Sequence, residues 1–194
     1  MSITVTPVND APTVANAQDN QAATEDSALT YQFAADVFTD VDSGDSCTYT
    51  STQQDGSALP SWLTFTPGTR TYSGTPLNAN VGTLAVRTTC TDDGSSTVND
   101  DFNLVVSNTN DAPTTSGGAA GPAEDATHTF TTTASDWGYS DVDSGDTMTS
   151  IDFTTLPGTG TLMYDSAAVT EGQDILIADL GGVTYVPVAN ANGA

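Results

Sequence analysis

Apolar and polar residues alternate in short runs along most of this 194-residue chain, and Gly, Pro, Asp and Asn separate the runs. From Thr83 to Thr91, Leu84, Val86, Thr88 and Cys90 fall on one side, while Ala85, Arg87, Thr89 and Thr91 fall on the other. That period of two is the pattern of a half-buried antiparallel strand. The same reading predicts strands over Leu29 to Phe38, Cys47 to Gln53, Trp62 to Thr66, Arg70 to Gly74 and Asp101 to Ser107, and Ser2 to Thr6 alternates likewise. Six or seven such strands predict an all-β sandwich.

The pattern also repeats. Asp40-Val41-Asp42-Ser43-Gly44-Asp45 returns as Asp141-Val142-Asp143-Ser144-Gly145-Asp146, and Asn9-Asp10-Ala11-Pro12 returns as Asn110-Asp111-Ala112-Pro113, both at an offset of 101 residues. Glu25-Asp26 reappears as Glu124-Asp125 after a loose Gly-rich and Ala-rich stretch. A fixed period of that size predicts tandem copies of one domain. Residues 1–12 read as the last strand and linker of a preceding module, 13–113 as a complete module, and 114–194 as an incomplete second one. The second copy is expected to lack its final two strands and to leave an open sheet edge. Pro12 and Pro113 suit stiff junctions, since each lacks a backbone donor and biases its neighbour to extended geometry.

Charge narrows the function. Twenty-five acidic residues face two basic ones, Arg70 and Arg87, for a formal charge of −23. The balance argues against nucleic acid or an anionic membrane surface as the direct partner, because counterion release needs clustered Lys and Arg. Divalent cations are the natural counterpart. No run of about 20 apolar residues is present, so no direct membrane insertion is expected. The first residues have neither the basic start nor the apolar stretch of a signal peptide. The absence of lysine also rules out a Lys-to-Asn isopeptide bond.

In a Greek-key sandwich, the loop leaving the second strand carries Asp40, Asp42 and Asp45 to one pole, and the strand rising from Thr83 delivers Asp92 and Asp93 there. Asn9 and Asp10 arrive on the incoming linker. Unpaired, these carboxylates would cost several kcal/mol in repulsion even at a surface-like dielectric. Ca²⁺ removes that cost, taking roughly six to eight oxygens from carboxylates, amides and backbone carbonyls.

Glu25, Asp40-Val41-Asp42, Cys90-Thr91-Asp92 and Asn108-Thr109-Asn110-Asp111 resemble the early Glu, DxD, AxD and DxND motifs of the cadherin superfamily. They look most like the cadherin-like repeats of large bacterial surface adhesins. Leu59-Pro60-Ser61-Trp62-Leu63-Thr64-Phe65, followed by Tyr72-Ser73-Gly74-Thr75-Pro76, is similar to the dystroglycan-type branch. The resemblance implies tandem Greek-key immunoglobulin/cadherin-like β-sandwiches, the second truncated, with Ca²⁺ rigidifying the junctions between neighbouring repeats of an extracellular or cell-surface protein. It implies an upper site from Asn9, Asp10, Asp40, Asp42 and Asp92. It implies an interdomain site from Glu25, Asn108, Asn110, Asp111, Asp141 and Asp143. Departures at Asn78-Ala79-Asn80 and at Pro7 imply fewer or weaker ions, in the ~10⁻⁴ to 10⁻³ M range of extracellular modules.

Other chemistries fit less well. An EF-hand would need Gly sixth and Glu twelfth in its loop, where this chain has Asp45 and Ser51. Two cysteines and one histidine do not close a zinc site. His128 stands in an expected strand with no nucleophile in prospect, so catalysis is not expected. Cys47 and Cys90 should lie near one pole on adjacent strands, where a disulfide is geometrically possible and two buried thiols are the alternative. Trp62, Trp137 and Tyr139, if exposed, could stack on sugar rings. A polysaccharide-binding accessory module of a secreted carbohydrate-active protein is therefore the second functional class.

Overall fold

The computed structural model describes residues 8–116, 125–131, 133 and 137–190. The strand expected over Ser2 to Thr6, Pro7, and the repeat of Glu25 at Glu124 lie outside them. The chain separates into two compact units, the first ending at Thr109 and the second beginning at Asn110.

The first unit is built from β1 (Thr13–Val14), β2 (Gln21–Thr24), β3 (Leu29–Gln32), β4 (Phe38–Thr39), β5 (Thr48–Gln53), β6 (Leu63–Thr66), β7 (Thr71–Gly74), β8 (Gly82–Thr91) and β9 (Thr97–Ser107). One sheet has the order β2-β9-β8-β5, another β3-β7-β6, and β1 pairs with β4. β2 runs parallel to β9, and the other pairings are antiparallel.

The alternation read from the sequence becomes the core. Val86, Thr88 and Cys90 are each 0% exposed, and Phe102, Leu104 and Val106 on β9 point the same way and are buried. Phe33, Leu63 and Tyr72 are buried with them in the same cluster. Truncating such a side chain to alanine costs about 2–5 kcal/mol. The Tyr72 hydroxyl sits inside this core. It bonds Thr88 Oγ1 at 2.7 Å and donates to Ser51 Oγ at 2.8 Å. Thr88 Oγ1 also accepts from Gln18 Nε2, and the Gln18 N–H donates to Asp100 Oδ2. These polar groups tie β7 to β5 and β8 and leave little freedom to slide one sheet over the other.

Two strands differ from expectation. The run Leu29 to Phe38 breaks after Gln32, with a turn bond from Val37 N–H to the Ala34 carbonyl. The break frees Phe38 to pair with Val14 in a separate ribbon. β9 starts at Thr97, earlier than its apolar pattern suggests, because its ladder with β8 continues to Thr91 and Thr97.

The second unit contains β10 (Thr114–Thr115), β11 (His128–Thr129), β12 (Tyr139–Ser140), β13 (Ser150–Phe153), β14 (Thr161–Tyr164), β15 (Ala167–Ala168), β16 (Gln173–Leu176) and β17 (Val183–Val186). β11-β17-β14-β15 form one sheet, β13 pairs with β16, and β10 pairs with β12. Met148, Leu162, Val169, Ile175, Leu180 and Val183 make its buried core. Among the described residues, β13 has a partner along one edge only. Both units are all-β.

Candidate metal centres

Each unit folds its repeated hexapeptide into the same loop. The Asp42 N–H donates to Asp40 Oδ1 at 2.8 Å, and the Asp143 N–H donates to Asp141 Oδ1 at 2.9 Å. The Asp45 and Asp146 amides then donate to the Asp42 and Asp143 carbonyls. Gly44 and Gly145 take φ of 104° and 101°, a left-handed turn that L side chains seldom adopt. The linker closes each loop identically, Asp10 N–H on Asp42 Oδ2 at 2.7 Å and Asp111 N–H on Asp143 Oδ2 at 2.6 Å. As a result, one carboxylate oxygen from each of Asp40, Asp42 and Asp45 lies within 4.8 Å of the others, and Asp141, Asp143 and Asp146 form a second such group.

The first unit adds a second segment to its cluster. The loop between β8 and β9 brings Asp92, whose Oδ1 accepts from the Ser96 N–H at 2.7 Å and whose Oδ2 accepts from Asn9 Nδ2 at 3.0 Å. Asn9 packs so tightly here that a Cβ on Gly94 would overlap its side-chain amide. Ser46 Oγ donates to Asp93 Oδ1 across the same gap. Burial, then Asp93, Asp40, Asp42 and Asp92 in that order, push the Asp45 carboxyl above its ordinary value. Of the expected upper set, Asp40 and Asp42 join Asp45 in the group, Asp10 reaches it through its backbone N–H, and Asp92, bonded to Asn9, acts on Asp45 through its charge. Asn9 turns its amide nitrogen toward Asp92, so it would have to flip to act as a ligand.

One atom tests whether a cation fits. Asp40 Oδ2 is buried and has no hydrogen-bond partner among the described residues. Its counterpart in the second unit, Asp141 Oδ2, accepts from the Tyr139 hydroxyl at 3.2 Å. At the 101-residue offset the first unit has Phe38 where the second has Tyr139, so the hydroxyl is missing. A carboxyl oxygen shut from water and left without a partner is costly. An oxygen-seeking divalent cation would satisfy it, which makes the donor set of the first unit chemically suited to Ca²⁺. The Phe38 and Tyr139 difference, and the part played by Asp45 and Asp146, were visible in the repeat but fall outside the ligand sets implied by the resemblance.

Glu25, at the end of β2, is 1% exposed. Its Oε1 accepts from the Thr109 N–H, while Oε2 has no partner among the described residues. Asn108 donates to the Thr109 carbonyl and accepts from Asn78 Nδ2. These residues belong to the first unit. Asn110, which donates to the Asp111 carbonyl at 2.9 Å, belongs to the second with Asp111, Asp141 and Asp143.

Beside the acidic loop of the first unit, Cys47 and Cys90 form a disulfide with a Cα–Cα distance of 5.2 Å. In the second unit a cleft of about 970 Å³ runs along β13, lined by Trp137, Tyr139, Phe153, Asp141 and Asp152 among others. Trp137 is half-buried, stacked on Phe130 at 4.6 Å, and donates Nε1–H to the Thr131 carbonyl. Trp62 packs against the core of the first unit. Among the described residues, no helix is long and apolar enough to cross a membrane.

Residues 11–107 match the family model He_PIG, described as "Putative Ig domain". No curated protein matches the chain. Among solved structures, the endo-fucoidan hydrolase MfFcnA4 from glycoside hydrolase family 107 is 20% identical, with a TM-score of 0.43 over 95% of this chain and 25% of that one. This chain therefore spans about a quarter of that enzyme's length. The titin domains z1z2 in complex with telethonin are 12% identical, with a TM-score of 0.40 over 96% of this chain and 85% of that one. The PKD domain from KIAA 1837 protein is 15% identical, with a TM-score of 0.35 over 60% of this chain and 100% of that one.

Proposed function

The chain belongs to the He_PIG family of Ig-like domains, and on that premise we propose that it is a calcium-binding structural repeat, without catalytic chemistry of its own, of a large extracellular or cell-surface adhesin. The observation that carries this reading is the buried, unpartnered Asp40 Oδ2 within a group of three carboxylates. Calcium supplies the positive charge that this pole lacks and accepts several oxygens at once. The residues do the rest. Gly44 sets the turn, the Asp42 amide holds Asp40 Oδ1 and the Asp10 amide holds Asp42 Oδ2, and Asp92 joins from the loop between β8 and β9.

The disulfide fits an oxidising, extracellular compartment. The resemblance to cadherin-like repeats of the dystroglycan type extends the proposal to Asn108, Asn110 and Asp111, where bound calcium would stiffen the linker between neighbouring repeats. The array would then hold a distal binding region away from the surface.

Calcium titration by calorimetry on the whole chain tests the reading, repeated on Asp40→Ala/Asp42→Ala and Asp141→Ala/Asp143→Ala. Saturable binding at ~10⁻⁴ to 10⁻³ M, weakened by the substitutions, is the expected result. No binding by ~10 mM would reduce the loops to hydrogen-bonded turns.

The cleft favours a second reading, a polysaccharide-binding accessory module. Trp137 and Tyr139 line it beside Asp141 and Asp152, an arrangement that could stack and hydrogen-bond a sugar ring. Polysaccharide binding that persists in EDTA and disappears in Trp137→Ala would bring this reading forward.

A further inference from the structure

We infer that the Cys47–Cys90 disulfide is a positioning element of the cation site in the first unit, an inference that rests on the calcium reading above. The bond joins the two segments that carry the carboxylates. Cys47 lies two residues after Asp45 and Cys90 two residues before Asp92. The bond therefore ties the loop of Asp40, Asp42 and Asp45 directly to the end of β8, from which Asp92 and Asp93 project.

Electrostatics gives the staple its purpose. Before an ion arrives, the carboxylates on the two segments repel, and besides its own turn bonds and the Asp10 amide the Asp45 loop has one long bond to the other segment, Ser46 Oγ to Asp93 Oδ1 at 3.4 Å. The ladder of β5 with β8 stops at Thr48 and Thr91, short of the acidic residues. A covalent link just inside them holds the two halves of the site together against that repulsion. The second unit supplies a comparison within the same chain. Met148 stands at the position of Cys47, and its hexapeptide loop closes with the same hydrogen bonds and no staple.

The test is calcium binding by the whole chain with Cys47→Ala/Cys90→Ala, measured by calorimetry and by melting in EDTA and in saturating calcium. Leu104→Ala, a core change on β9 far from the acidic pole, controls for lost stability alone. The expected result is an affinity of the first-unit site about tenfold lower, within the usual range of coupling between sites, with a smaller calcium-induced rise in melting temperature. Leu104→Ala should lower both melting curves and leave the calcium-induced rise unchanged. Equal lowering of both curves in the cysteine variant, with unchanged affinity, would overturn the inference and leave a purely structural disulfide. Absence of calcium binding by the unaltered chain would instead overturn the calcium reading, and this inference with it. A Cys47→Val/Cys90→Val pair, which keeps apolar volume at the buried Cys90, repeats the titration if the alanine pair does not melt cooperatively.

Discussion

Replacing Phe38 by tyrosine adds one hydroxyl at the spot where the second unit already has one. Tyr139 reaches Asp141 Oδ2 at 3.2 Å, and the ribbons that place the two rings are equivalent, Val14 facing Phe38 and Thr115 facing Tyr139. A buried polar atom without a partner costs about 1–3 kcal/mol, and a hydrogen bond to a charged group contributes about 1.5–3 kcal/mol. Burying the new hydroxyl takes back part of that gain. Without calcium, the first unit should therefore become more stable by about 1 kcal/mol, a rise of about 4–8 °C for a domain of this size. The same hydroxyl competes for the oxygen that calcium would use, so affinity should fall about tenfold, equivalent to 1.4 kcal/mol. Trp62 fluorescence in a Trp137→Phe background follows melting of the first unit, and calorimetry gives the affinity. A tyrosine variant that is less stable in EDTA and binds calcium as before would refute the reasoning.

The pH dependence has a definite sign. Asp45 holds its proton more tightly folded than unfolded, because burial and then Asp93, Asp40, Asp42 and Asp92 raise its carboxyl above 3.8. In EDTA its contribution should favour folding as pH falls toward 3.8 and disappear as pH rises through the raised value, a trend that Asp45→Asn should flatten in melting experiments. Asp101 acts oppositely. Its hydrogen bond from Arg87 holds its carboxyl below 3.8, so its contribution is lost only at lower pH, and Arg87→Gln should remove that acid limb of the profile. Gly94→Ala should displace Asn9 from Asp92 and weaken calcium binding more than it lowers the melting temperature in EDTA, as a paired titration and melt would show. Tyr72→Phe should cost the first unit about 1–3 kcal/mol in urea unfolding, because Thr88 and Ser51 lose a buried partner.

The alternation of Leu84, Val86, Thr88 and Cys90 was enough to place β8 and its inward face, because a strand's side chains have no choice but to alternate. The offset of 101 residues likewise identified the acidic loops as one device used twice, since identical Asp-x-Asp-Ser-Gly-Asp sequences satisfy their own amides locally. The breaking of the expected strand after Gln32 was not legible. It depends on Phe38 finding Val14, a pairing across the fold that no local propensity encodes. Nor could spacing alone decide between two thiols and a disulfide at Cys47 and Cys90, which the meeting of β5 and β8 settled.

The sequence by itself determined composition, period and turn chemistry: an acidic all-β repeat whose carboxylates recur in loops. The tertiary structure decided which of those carboxylates are satisfied. Asp40 and Asp141 carry the same hexapeptide, and the residue that caps one of them is already legible two positions upstream, Tyr139 against Phe38, but that the uncapped Asp40 oxygen is shut from water follows only from the fold around it. Desolvation acts on three-dimensional neighbours, and those are fixed only when the sheets close.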